Sequence, residues 1–188
     1  MAIYNTSSDA SNTSVRAFLT KVGELYLGHG FNTGSGKGKA IWDDIKSNIF
    51  NDSCAYCGLG KEDAPDKKLT IEHLIMFNRA EFGLHHPGNI VPCCKLCNNR
   101  TKSSSGTYFI WSDHLKEICS KRDEVKSFPS RLRKINLHHN SGRYAYPKLS
   151  KSEVSAIKVI AQSLYQNIKT ESEKSLNLYR ELKEEFIQ

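Results

Sequence analysis

The chain has 188 residues, of which 38% are hydrophobic and 25% charged, enough for one domain with extensions but with little apolar content to spare. No apolar run reaches the ~18 residues of a membrane-spanning helix, which argues against a membrane partner, and the polar opening MAIYNTSSDASNTS lacks the apolar stretch of a secretory signal, so a cytoplasmic protein is expected. The net charge of +7 is concentrated: between Lys121 and Lys151 stand nine Lys/Arg and two acids, while the remainder balances at 18 against 18, and such a basic zone is the footprint of a polyanion binder.

Residues 1–13 are polar and read as loosely attached. Val15, Phe18, Leu19, Val22 and Tyr26 recur at helical spacing and predict an amphipathic helix over 14–27. The following GHGFNTGSGKGK is no phosphate-cradling P-loop. Neither Lys37 nor Lys39 is followed by Ser or Thr, and Phe31 or Thr33 stands where the first glycine belongs. It reads as a flexible loop. Ile41, Trp42, Ile45 and Ile49 mark a second short helix. Leu69–Glu72 and Asn89–Pro92 read as strands, and Lys95 to about Lys102 as a helix. Tyr108, Trp111, Leu115, Ile118 and Cys119 predict another helix. Pro129 opens a short basic helix to about Leu137, broken by His138-His139-Asn140-Ser141-Gly142. Ser150-x-x-Glu153 is a capping box ahead of Ile157, Ile160, Ala161, Leu164 and Ile168. Thr170-x-x-Glu173 offers a second start before Leu176, Tyr179, Leu182 and Phe186, so the C-terminus is one or two helices. The expected fold class is α+β and mostly helical. Its three parts are a helical extension with a Gly-rich loop (1–51), a metal-rich core (52–105) and a helical basic region (106–188).

The core segment holds two Cys-x2-Cys pairs, Cys54/Cys57 and Cys94/Cys97, with 36 residues between Cys57 and Cys94. Each pair can turn two sulfurs toward one ion. Four thiolates leave no open position, so a structural Zn²⁺ is expected rather than disulfides. Cys93-x3-Cys97 is a competing register; the x2 spacing of the first pair favours Cys94. Cys93 and Cys119 then read as core residues.

Glu72-His73 ends the first strand and Asn98-Asn99 follows the second cysteine pair. The words IEHLI, GNIVPCCKLCN and NNRTKS, in the order strand, loop, strand, helix, resemble the HNH (ββα-metal) nuclease family over about residues 52–105. The resemblance implies a ββα-metal core, a metal-dependent endonuclease and products with 5′-phosphate and 3′-hydroxyl ends. It places the middle residue of the pattern on Asn89, expected to brace the loop that carries the histidine. The chemistry of the residues agrees. His73 is the candidate general base. Glu72, where the family usually has Asp, and Asn98 (alternatively Asn99) supply oxygen ligands for one hard ion, Mg²⁺ or Mn²⁺. Glu72 and His73 point to opposite sides of a strand, so a bend must bring them into one site.

Double-stranded DNA is the expected partner. Arg79, Arg100 and Lys102 are candidate phosphate contacts near the core. Arg131, Arg133, Lys134, Asn140, Arg143 and Tyr144, with His138 and His139, are candidates in the basic zone. His85 and His86 read as surface or structural groups. A site-specific, restriction-type endonuclease acting as a homodimer is the leading expectation. The alternatives are a homing or phage-type nicking enzyme and a zinc-dependent DNA-binding protein without catalysis.

Overall fold

The computed structural model describes residues 6–186. It is α+β and mostly helical, with one two-stranded sheet. The helices are α1 (Ser7–Leu27), α2 (Gly36–Asp44), α3 (Trp111–Lys121), α4 (Phe128–Asn140) and α5 (Lys151–Phe186). Strands β1 (Thr70–His73) and β2 (Ile90–Cys93) pair antiparallel, with His73 opposite Ile90 and Glu72 opposite Val91.

Helix α1 starts earlier than the apolar spacing predicts. Thr6 caps it by accepting from the Asp9 N–H at 3.2 Å, and Ser11 and Ser14 donate to carbonyls four residues back. The polar stretch 7–13 is thus helix because it lies against α5, where Ser7 Oγ donates to Glu173 and Tyr165 Oη to Ser8. Residues 1–5 of the loosely attached stretch fall outside the described residues. Gly28, at φ 80°, ends α1 in the left-handed conformation that glycine adopts without strain.

The capping box of α5 forms, with Ser150 N donating to Glu153 at 2.7 Å and Glu153 N to Ser150 Oγ at 3.2 Å. The second start at Thr170 is not used. Nothing there breaks the chain, Thr170 Oγ1 accepts from Gln166, and the helix runs for 36 residues, about 54 Å.

Two apolar clusters hold the molecule together. One joins Val15 and Leu19 of α1 to Ile157 and Ala161 of α5 over Leu84. The other gathers Trp42, Ile45, Phe50, Tyr56, Ile90, Val91, Leu115 and Ile135 around the cysteines. The segments 1–51, 52–105 and 106–188 therefore share this second core. Between α2 and the first cysteine pair, a widened turn at Ile45–Ile49 ends with Phe50 N bonding Ile45 O. Asn51 and Asp52 follow in left-handed conformations and turn the chain into Cys54.

One predicted element is absent. Residues 95–102 form turns and an extended stretch, not a helix. Both Cys97 N and Asn98 N bond back to Cys94 O, which closes a knuckle, and Arg100 is pulled inward immediately after it. The next helix is α3.

Candidate metal centre and hydrolytic cleft

Cys54, Cys57, Cys94 and Cys97 are all buried, and their sulfurs lie within 4.8 Å of one another. Cys57 Sγ and Cys94 Sγ are 3.7 Å apart. A tetrahedral ion with metal–sulfur arms of ~2.3 Å needs sulfur–sulfur edges of about 3.8 Å; the Cys57–Cys94 edge matches this, and the four sulfurs together could hold a metal such as zinc. Hydrogen bonds from the Cys57, Cys93 and Cys97 thiols hold the Cys54 thiol below the usual range, while its bond to Cys54 pushes the Cys57 thiol up. Cys93 is fully buried outside the set, and its thiol donates weakly to Cys94 O at 3.5 Å.

The cage is built from local turns tied to distant elements. In the first knuckle Gly58 N bonds Cys54 O and Cys54 N bonds Leu59 O, both at 2.8 Å, and Ala55 N reaches Pro92 O of β2. His114 of α3 bonds Cys97 O at 2.9 Å, and Arg131 of α4 donates to Cys57 O at 2.9 Å.

Beside the cage a cleft of about 320 Å³ is lined by Glu72, His73 and Asn98, with Arg16, Phe77 and Asn78 among its other walls. The pleat sends Glu72 and His73 to opposite faces, and the bend after His73 opens both onto this cleft. Glu72 is partly buried. Burial raises its carboxyl pKa, and the Arg100 guanidinium opposes that rise. Arg100 Nη2 pairs with Glu72 Oε1, leaving Oε2 without a protein donor. Asn98 donates from Nδ2 to Thr70 Oγ1 at 2.8 Å and to Ile71 O at 3.1 Å, which turns Oδ1 away from both and leaves it without a donor. Asn99 is exposed and does not line the cleft. Glu72 and Asn98 thus each bring to this cleft an oxygen without a donor among the described residues, the ligand type that hard divalent ions take.

The His73 ring stacks on Phe77 at 4.8 Å, and its Nε2 is 3.0 Å from His85 Nδ1. No protein group among the described residues bonds its Nδ1. Burial, helped by the charges of His85, Arg16 and Arg100, lowers its pKa to about 3, so the imidazole is neutral at working pH and holds a proton only weakly. Asn89, completely buried, braces the loop that follows β1. Its Oδ1 accepts from Ile75 N at 2.8 Å, and its Nδ2 donates to Ile75 O and Leu84 O, both at 2.9 Å. Asn89→Ala removes three hydrogen bonds and leaves buried partners unpaired. It is expected to cost about 3 kcal/mol and to lower the melting temperature by roughly 6–12 °C. An unchanged melting curve would show that the loop is held by other contacts.

The residues expected to meet DNA divide into two groups. Arg79, Lys102, Arg133, Lys134, Asn140 and Arg143 are exposed. Arg79 lies over the Tyr165 ring at 4.2 Å, Lys102 over Tyr108 at 4.9 Å and Lys134 over Phe50 at 5.3 Å. The others turn inward, which corrects the sequence reading. Arg100 has a 3% exposed side chain bonded to Glu72, His73 O and Leu74 O. Arg131 joins Glu124 to the first knuckle, and Tyr144 Oη donates to Asp44 at 2.8 Å. His138 and His139 bond the carbonyls of Pro87, Gly88 and Ile90 and fix the turn before β2. His85 and His86 are likewise interior groups, His85 on His73 and His86 accepting from Gly88 N.

Arg16 and Asn78 are the cleft residues that sequence reasoning missed. Asn78 is occupied locally, its Oδ1 accepting from Ala80 N and Glu81 N. Arg16 lies 56 residues before Glu72 on the solvent side of an amphipathic helix, and no motif spacing signals it. A scan against protein-family models, a search of curated proteins and a search of solved structures each found no match.

Proposed function

We propose that this chain is a zinc-clipped, metal-dependent DNA endonuclease of the HNH (ββα-metal) type. The observation that carries the proposal is the cleft lined by His73, Glu72 and Asn98 beside the four-cysteine cage. The missing helix after Cys97 leaves the strand pair, the knuckles and this cleft as the support for the family reading.

In this proposal the four thiolates hold zinc as a closed structural site. Glu72 Oε2 and Asn98 Oδ1 would hold a second ion, Mg²⁺ or Mn²⁺. When bound, that ion supplies charge neutralisation at the scissile phosphate and at the leaving 3′ oxygen. His73, kept neutral by burial and fixed by Phe77 and His85, takes the proton of the attacking water. Attack at phosphorus breaks the bond to the 3′ oxygen and yields 5′-phosphate and 3′-hydroxyl ends.

The exposed Arg133, Lys134 and Arg143 support a DNA-gripping surface on and after α4. The distal part of α5 exposes Leu176, Tyr179, Leu182 and Phe186 on one side, the last at 75%. This row supports a homodimer, suited to two-fold DNA. Incubating purified protein with plasmid and Mg²⁺ is expected to give discrete fragments. Nicked circles alone would favour the homing type, and a smear a nonspecific nuclease. Uncut plasmid across many sequences would remove the proposal.

One observation favours a second reading, a zinc-dependent DNA-binding protein without catalysis. The Glu72 charge is already partnered by Arg100, as in a purely structural ion pair. The two readings part at His73, as argued below.

A further inference from the structure

Phosphodiester cleavage builds negative charge on the phosphate, and fixed cations aimed at it act most strongly in the transition state. The segment carrying Glu72, His73 and Asn98 places no cation of its own in the lining of the cleft. Arg100 is buried and committed to Glu72 and two backbone carbonyls, and Arg79 lies over the Tyr165 ring. Arg16 is different. It lies on α1, outside that segment, and lines the same cleft as His73, Glu72 and Asn98. It is exposed. Among the described residues its guanidinium enters no ion pair or hydrogen bond; the one side-chain bond at this residue is the Thr20 hydroxyl to its backbone carbonyl.

The helix that carries it is held at both ends and in the middle. Val15 and Leu19, on either side of Arg16, are 1% and 0% exposed in the α1–α5 core. Ser7 donates to Glu173 and Tyr26 to Glu153 on α5. Gly23 approaches the loop of the cleft so closely that a Cβ there would sit 2.4 Å from the His85 carbonyl oxygen. That same His85 bonds His73. The backbone under Arg16 is therefore positioned relative to the candidate base, while its side chain is left for something the chain itself does not provide.

We infer that Arg16 is a catalytic residue of the proposed phosphodiester cleavage, its guanidinium gripping the non-bridging oxygens of the scissile phosphate beside His73. The inference rests on the nuclease reading. A planar guanidinium meets two phosphate oxygens at once and stays charged at every working pH. It also gives α1 and α5 a role: the helical pair delivers a phosphate clamp to a cleft whose other chemistry comes from the hairpin and the knuckle.

The test is single-turnover cleavage of a saturating DNA duplex with Mg²⁺ by the unaltered protein, Arg16→Ala, Arg16→Lys and His73→Ala. Arg16→Ala is expected to slow cleavage about 100-fold, with the melting curve unchanged because the side chain is exposed and unpartnered. Arg16→Lys restores part of the rate by returning the charge without the fork. DNA affinity changes little beside the rate, since one phosphate contact among many is lost. Cleavage by Arg16→Ala at the unaltered rate, in a protein that His73→Ala still disables, overturns the role of Arg16 and leaves the nuclease reading standing. Equal losses in affinity and rate would make Arg16 a binding contact only and also overturn it. Absence of cleavage by the unaltered protein overturns both.

Discussion

Cys94→Ala is expected to lose the bound ion and unfold the central core, whereas Cys93→Ala keeps both. The two residues are neighbours and both are buried, at 1% and 0% exposure, so hydrophobic burial does not separate them. Geometry does. Cys94 Sγ is 3.7 Å from Cys57 Sγ in the four-sulfur set, while Cys93 lies outside it and its thiol donates weakly to Cys94 O. Structural zinc binding contributes on the order of 10–16 kcal/mol, as much as the whole stability of an ordinary domain. Three sulfurs cannot retain most of that. The core around the cage draws on both ends of the chain, through Trp42, Phe50, Leu115 and Ile135, so losing the ion should dissolve it cooperatively. Cys93→Ala removes one buried sulfur and leaves a small void, costing about 1 kcal/mol and roughly 2–4 °C in melting temperature. Ion content per chain and thermal melting check the pair. A folded Cys94→Ala protein with one ion per chain would assign the fourth ligand to another residue.

His73→Ala is expected to reduce DNA cleavage about 1,000-fold, within the range that a general base contributes, while DNA binding and folding persist. The ring is partly buried, stacked on Phe77 and bonded to His85. Its loss therefore leaves a modest cavity; the brace at Asn89 and the cage remain. Its neutral state at working pH follows from burial, which lowers the pKa to about 3. The phosphate contacts proposed to set affinity fall to other residues, such as Arg133 and Arg143, which are exposed. Rates measured under single-turnover conditions and affinities measured without divalent ion separate the two effects. Normal cutting by His73→Ala would end the mechanism proposed here and turn attention to the non-catalytic reading.

Much of the local structure was legible in the sequence. The two Cys-x2-Cys pairs name their own register, because a knuckle closes over four consecutive residues whatever surrounds it. The capping box Ser150/Glu153 and the apolar spacing of α3 are equally local, and so are the short strands that end at His73 and begin after Asn89. The placement of Glu72, His73, Asn89 and Asn98 near one another follows once the strands pair and the cage closes. By contrast, the helix expected from Lys95 failed because its first turn is spent on the knuckle and its sixth residue, Arg100, is drawn into a buried pair with Glu72. The basic zone misled for a related reason. Charge counted along the chain does not reveal that Arg131, Tyr144, His138 and His139 spend their polar groups on the first knuckle, Asp44 and the turn before β2.

The sequence by itself determined the sulfur cage, the pairing of a carboxylate with an imidazole at a strand end, and the amphipathic helices, since each depends on residues a few positions apart. Only the tertiary structure decided that α1 begins at Ser7, that Asn98 rather than Asn99 turns into the cleft, and that Arg16 stands beside His73 while Arg100 does not face solvent. The physical reason is the range of the forces involved. Caps, turns and periodicity act within a helical turn or a strand pleat, whereas the fate of a polar side chain is settled by whichever distant backbone carbonyl or carboxylate the fold brings within hydrogen-bonding reach.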